Sequence, residues 1–387
     1  MGRNLIRFAG ALSILVVAHA AFAEDGVSSK SITFGQVAAL QGPAQDLGQG
    51  MRQGLVAAFT EANNQGGISG RVIELKSLDD GYEPEKTISA TKQMIQDDKV
   101  FALLGAVGTP TSKASLPIAT EAKVPFIGPF TGAEFLRNPY NRYVVNVRAS
   151  YFQETEAWIE HLTKDLGVSR IAILYQDDAF GLAGLEGVQK AMAKRNMTLV
   201  ASGSFTRNTI AVKTALLDIM KGRPEAVVTV APYKPVAEFI KLAHQVKLDA
   251  VFVAISFVGS DSLAIELGKQ GAGVIVSQVV PSPWDTLLPV VASYQRSIAG
   301  ANAKPGFVSL EGYMVGRLVT DALKRIGSEP TRERLLDAVM QSPFDLGGVV
   351  LRYSPTNNQG SDQVYFTILQ ADGTFKPVTR LVRTATQ

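Results

Sequence analysis

The sequence predicts an α/β protein built from two doubly wound parallel-sheet lobes, and three observations predict it. Short apolar runs alternate with helix-length amphipathic segments over most of the chain. The alternation restarts at Ile171, so it falls into two blocks of similar make-up. From Val308 onward the rhythm breaks into two long helical patterns followed by strands with no helix of their own, which suits a chain returning to complete earlier lobes.

The first block opens with a strand over Ile32–Ala39. A helix follows over Asp46–Asn64, with Leu47, Met51, Leu55, Ala58, Phe59 and Ala62 on one face. Gly66 and Gly67 end it, where a helix terminus needs positive φ. Val72–Leu78 is a strand and Pro84–Asp97 a helix with proline at its start. Two apolar runs, Val100–Leu104 and Val124–Ile127, have the length of buried parallel strands, and Thr111–Ala122 joins them as a helix. Arg142–Val147 is a further extended run.

The second block runs through Ile171–Tyr175 (strand), Gly181–Lys194 (helix), Thr198–Ser202, Ala211–Met220, Ala226–Val230, Pro235–Gln245, Val251–Ile255, Leu263–Leu267 and Val274–Val279 in alternation. Val308–Ile326 and Thr331–Met340 are helical patterns. Gly347–Tyr353 and Gln363–Leu369 read as antiparallel strands about the turn residues Asn357-Asn358-Gln359-Gly360. The first passage between lobes falls near Asn146–Ser150, and the late strands imply at least one more, hence a hinge.

Open parallel sheets bind ligands beyond the carboxyl ends of their strands. The loops after Val100–Leu104 and Val124–Ile127 are rich in Gly, Thr and Ser there: Gly105–Lys113 holds Gly108, Thr109, Thr111 and Ser112, and Gly128–Ala133 holds Phe130, Thr131 and Gly132. Hydroxyls and helix N-terminal N–H groups suit a small anion such as a carboxylate. Helix capping by Thr109, Thr111 and Ser112 uses the same geometry, so both readings stay open. Phe180, Tyr233, Phe257 and Trp284 each follow an expected strand and could wall an apolar pocket.

Other chemistries find no support. The chain has no cysteine and three histidines far apart, His19, His161 and His244, so neither disulfides nor a metal site is expected. Gly181-Leu-Ala-Gly184-Leu-Glu-Gly187 and Gly48-Gln-Gly50 lack the spacing of phosphate loops and read as close-packing glycines, and no G-x-S-x-G elbow occurs. Asp79-Asp80 and Asp177-Asp178 stand at strand ends, where capping competes with a place beside the cleft. Arg3 and Arg7, the apolar run Phe8–Ala18 and Ala21-Phe22-Ala23 read as a secretory signal cleaved after Ala23. Its removal lowers the net charge from +3 to +1, and with no basic patch nucleic-acid binding is not expected. No second long apolar stretch follows, so the mature chain is not expected to span a membrane.

Taken together, Gly42-Pro43, Asn63–Gly70, Asp79-Asp80, Leu104-Gly105, Pro125–Pro129 and Phe180-Gly181 resemble the branched-chain amino-acid-binding proteins, the type I periplasmic substrate-binding proteins of ABC importers. The resemblance spans essentially the whole mature chain. It implies a type I periplasmic binding protein fold with a three-crossover hinge: residues 24–146 with 280–347 in the first lobe, 147–279 with 348–387 in the second. It further implies a monomer that binds a small carboxylate ligand and delivers it to an inner-membrane permease, with no cofactor and no catalysis. By the same resemblance Thr109 holds the carboxylate with help from Phe130–Gly132, Phe180 and Tyr233 are the aromatic walls of the second lobe, and Leu40 and Gln41 line the pocket. Ser256 falls where family members that bind α-amino acids place a carboxylate for the ammonium group. Its presence, followed by Phe257, sets a carboxylate without the amine, aromatic or aliphatic, beside a branched-chain or other hydrophobic amino acid as the expected ligand. A ligand-sensing receptor component and, more remotely, a secreted enzyme are the alternative readings.

Overall fold

The computed structural model describes residues 24–300, 303–341 and 343–382; the expected signal segment and its cleavage site lie outside them. The first block forms β1 (Ser31–Ala38), α1 (Gln45–Asn64), β2 (Val72–Asp79), α2 (Pro84–Lys92), β3 (Leu103–Leu104), α3 (Thr109–Glu121), β4 (Phe126–Ile127) and β5 (Val144–Val145). Its sheet is wholly parallel in the order β2-β1-β3-β4-β5.

The second block forms α4 (Tyr151–Lys164), β6 (Ile171–Gln176), α5 (Ala179–Ala193), β7 (Ala201–Phe205) and α6 (Lys213–Lys221). It continues through β8 (Ala226–Val230), α7 (Tyr233–Gln245), β9 (Val251–Ala254), α8 (Ser260–Leu267) and β10 (Ile275–Gln278). Then come α9 (Pro289–Gly300), α10 (Phe307–Ile326), α11 (Arg332–Gln341), β11 (Phe344–Asp345), β12 (Val350–Leu351), β13 (Tyr365–Leu369) and β14 (Phe375–Val378). The second sheet runs β14-β13-β10-β9-β8-β6-β7, with β13 antiparallel to both of its neighbours.

Helices α9 and α10 return to the first lobe, where α10 lies along α1 so closely that α1 offers Gly54 against the Ser309 carbonyl. The chain therefore passes between the sheets three times: after β5, after β10 and after β12. Two of these passages touch. Asn146 bridges Gln359, its N–H donating to Asn358 O at 2.7 Å. Arg137 ties the same region together, donating to Gln359 Oε1 at 2.6 Å, Ala133 O at 3.0 Å and Arg148 O at 3.0 Å. The passages are thus a braced hinge.

Two expectations are corrected. Gly347–Tyr353 and Gln363–Leu369 do not pair with each other: Val350–Leu351 pairs with Phe344–Asp345, while Tyr365–Leu369 joins the open edge of β10 and pairs with β14. The turn residues between them serve the third passage, and that stretch of chain is used in reaching the other lobe. The strand expected at Thr198–Ser202 lies at Ala201–Phe205, where Ala201 to Phe205 register with Ala172 to Gln176. Helix α9 and strands β11 and β14 went unread, and α4 was expected only as a helix carrying His161, without bounds.

Candidate functional site

The loops after β3 and β4 run side by side beyond the ends of their strands. Val107 forms a parallel bridge with Phe130, and Phe130 N–H donates to Ala106 O at 2.7 Å. Continuing the pairing past the sheet brings Thr109 and Thr131 together, their hydroxyls 2.7 Å apart and fully buried. Gly108 precedes α3 with φ +106 and offers no side-chain cap; a Cβ there would lie 2.2 Å from Tyr82 Cε2. The Thr109 hydroxyl is therefore not spent on capping. That of Thr111 is engaged by its own helix, donating to Val107 O at 2.5 Å and lying 3.0 Å from Gly108 O. Of the backbone donors in the second loop, Phe130 N–H is taken by Ala106 O and Thr131 N–H by Pro129 O.

A third hydroxyl converges on this pair. Tyr151, the first residue of α4, donates its N–H to Gly132 O at 2.7 Å, an approach that only glycine permits: a Cβ on Gly132 would lie 2.7 Å from Tyr151 N. The Tyr151 hydroxyl is buried next to both threonines without a hydrogen bond of ordinary geometry to either. Burial pushes it above the usual phenol range, against the opposing pull of Arg148 and the two threonines. Neutral at working pH, it is a donor in want of an acceptor.

Rings cover the hydroxyls. Phe257, in the turn after β9, lies 5.1 Å from Phe130, 4.6 Å from Phe180 and 6.1 Å from Tyr82, centroid to centroid. Phe180 also meets Tyr151 at 5.6 Å. Phe180 is placed by Asp178, which caps α5 by accepting the Phe180 N–H at 2.9 Å. Phe130 and Tyr82 come from the first lobe, Phe180 and Phe257 from the second, so the cluster spans the lobe junction. Tyr82, with its hydroxyl 3.3 Å from Gln176 Nε2, was not singled out from sequence. It too follows a strand end, which is the signal that found the others.

Tyr233 is buried but stands apart from this cluster, beside Asp46; burial, with the Asp46 charge adding to it, pushes the phenol well above its ordinary range. Leu40 and Gln41 form the rim of the β1–α1 loop, their N–H groups held by Asp79 Oδ1 at 2.7 and 3.0 Å, with Gln41 exposed. Trp284 packs on Phe307 and Phe375, away from the cleft rings.

Ser256 belongs to a buried charge network that sequence alone did not reveal. Its N–H and hydroxyl donate to Glu154 Oε2 and Oε1 at 3.0 and 2.9 Å, and Ser277 Oγ adds a 2.6 Å bond to the same carboxylate. Arg148, fully buried in the first passage between lobes, donates to Ser256 Oγ and to Glu154 at 3.1 Å, and faces Glu311 of α10 at 3.7 Å. Its guanidinium lies over Phe130 at 5.1 Å and near Tyr151 at 5.8 Å. Arg148 Nε and Nη1 have no hydrogen-bond partner. Burial pushes Glu311 up to about 7, although Arg148 opposes the shift.

Polar contacts close the junction on both sides. Arg207 joins Glu83 and Asp178 at 2.9 Å each, Asn208 donates to Gly81 O and Glu83, and Ser262 donates to Asp46 at 2.8 Å. A cavity of about 820 Å³ opens elsewhere along the junction, lined by Asp46, Asp261, Lys269, Trp284 and Lys304, and reaches none of the three hydroxyls. Asp79 and Asp80 hold loop N–H groups, while Gly181, Gly184 and Gly187 pack against Gln176, Val230 and Thr155. Among the described residues no cluster of His, Asp and Glu could hold a metal, and no helix is long and apolar enough to cross a membrane.

A family model described as "Periplasmic binding protein" matches residues 31–374. The chain is similar to a solved structure from Rhodopirellula baltica, described as a possible leucine/isoleucine/valine-binding protein: 35% identity, 93% of this chain and 98% of that one, TM-score 0.87. It is 24% identical over 333 residues to the Leu/Ile/Val-binding protein BraC3 of Rhizobium johnstonii, covering 85% of this chain and 88% of the relative. It shares its fold with an ABC-transporter solute-binding protein of R. palustris solved with benzoate: 20% identity, 90% of this chain and 95% of that one, TM-score 0.80.

Proposed function

This chain belongs to the periplasmic binding protein family, and on that premise we propose that it captures a small carboxylate with an apolar, flat or branched body between its lobes and delivers it to an inner-membrane ABC permease. The single observation that carries the reading is the convergence of the Thr109, Thr131 and Tyr151 hydroxyls beneath rings supplied by both lobes. Buried hydroxyls that donate to a carboxylate form charge-assisted bonds, stronger than those they make to one another. Thr109 and Thr131 exchange their mutual bond for the ligand's two oxygens, and Tyr151 gains the acceptor it lacks. The apolar body then lies between Phe130 and Phe257, which part as the lobes open. The lobe limits given above, 24–146 with 280–347 against 147–279 with 348–387, are part of this proposal, as is export to the periplasm with cleavage after Ala23.

The names of the similar proteins favour branched-chain amino acids, whereas the benzoate of the R. palustris structure and the ring cluster here favour an aromatic acid. Mass spectrometry of what co-purifies, followed by thermal shifts against amino acids, aromatic acids and oxo acids, tests the reading. A true ligand at 100 times its Kd adds about 2.7 kcal/mol of stability. The reading expects the shift from carboxylates and not from their amides or esters; stabilisation by the amides alone overturns it.

A further inference from the structure

We infer that Arg148 occupies, with its own guanidinium, the place that an α-amino acid's ammonium group would take, so that the cleft selects acids carrying an oxo oxygen beside the carboxylate. The inference rests on the reading above, in which the carboxylate lies on Thr109, Thr131 and Tyr151.

The position is defined by its neighbours. Phe130 and Tyr151, which flank the hydroxyl seat, both lie within 6 Å of the Arg148 guanidinium. Its Nη2 donates to Ser256, the residue that follows β9 by two positions and fronts the ring of Phe257. A ligand held at the hydroxyls therefore presents its second carbon toward a cation. An ammonium there meets like charge in a buried site, where screening is weak.

The nearby carboxylates offset part of the Arg148 charge, but the guanidinium already stands in their pairing positions. Glu154 already accepts from Ser256 N–H, Ser256 Oγ, Ser277 Oγ and Arg148, which uses its lone pairs. Glu311 lies against Arg148 Nη1 and is itself desolvated. What the site leaves open is hydrogen-bond donors: Arg148 Nε is buried without a hydrogen-bond partner, and Nη1 has only Glu311 at 3.7 Å, beyond hydrogen-bond reach. A buried guanidinium with idle N–H groups calls for an oxygen acceptor, and a carbonyl next to a carboxylate supplies one.

Three acids with one skeleton separate the possibilities: phenylalanine, phenylpyruvate and 3-phenylpropionate, differing only in ammonium, oxo or methylene at the second carbon, with leucine, 4-methyl-2-oxopentanoate and 4-methylpentanoate as the aliphatic set. Calorimetric titration of the full mature chain is expected to rank oxo above methylene by about 10- to 100-fold, the worth of one charge-assisted hydrogen bond, and to place the amine last. Arg148→Lys keeps the charge and loses the fork; it is expected to reduce the oxo advantage while the amine stays last. An amine that binds as well as or better than its oxo partner overturns this inference and leaves the carboxylate reading standing. Equal affinity of oxo and methylene acids overturns it too. Failure of all six acids, and of benzoate, overturns the carboxylate reading itself.

Discussion

Thr109 and Thr131 spend their hydroxyls on each other in a site where every neighbour is buried, and such a pair is easily parted by a stronger acceptor. Thr109→Val keeps the shape and removes the donor. It is expected to weaken carboxylate binding by about 1–3 kcal/mol and, since it also removes the buried bond to Thr131, to lower the melting temperature by about 2–4 °C, as titration calorimetry and thermal melts would register. Glu311 gives a pH signature. Burial pushes it up to about 7, above its ordinary 4.5, so folding takes up a proton between those values. Arg148, Glu154 and Arg137 are the charges that face it. The penalty of ionising it is absent below about 4.5 and fully in force above about 7, so its contribution makes stability fall as pH rises through that window. Melting of Glu311→Gln across pH 4–8 should be flatter than that of the parent; an identical slope would remove Glu311 from the account. These residues also mark what sequence could and could not disclose. Thr109, Thr131, Phe180 and Phe257 were legible because each follows a strand end in a βα unit. Arg148 was not, since its meaning comes from Ser256 and from Glu311 on α10, both remote in sequence.

At the scale of elements, the start of α4 unites fold and site. Ser150 accepts the Gln153 N–H at 3.3 Å, and Gln153 Oε1 accepts the Ser150 N–H at 2.7 Å, a reciprocal cap. The same Gln153 oxygen takes a 2.8 Å bond from Gln359 of the third passage, so the cap fastens the helix to the hinge. Tyr151 and Glu154 both project from this first turn. Ser150→Ala is expected to cost about 1 kcal/mol of stability, measured by urea denaturation, and to weaken ligand binding further because Tyr151 and Glu154 lose their anchor. The βα rhythm that predicted most elements is a local property of apolar spacing, which explains its success through β10. It failed after residue 340, where pairing depends on which sheet edge the chain reaches: Tyr365–Leu369 found β10, not the nearer Val350–Leu351.

The whole molecule is a clamp whose two sheets are joined by three passages and closed by contacts between lobes. Arg207 and Glu83 are both partly exposed, so their bond is modest. Arg207→Ala is expected to loosen the closed form and lower affinity up to about fivefold, or about 1 kcal/mol, without altering which acid is preferred. A changed preference would mean that Arg207 touches the ligand. The central claim is that lobe closure seats a carboxylate on Thr109, Thr131 and Tyr151, and small-angle X-ray scattering tests it most directly. With the acid that gives the largest thermal shift added at saturation, the radius of gyration should fall toward that calculated from the closed structure, and Thr109→Val should need correspondingly more acid to reach the same value. An acid that binds tightly while the scattering curve stays unchanged would contradict the account.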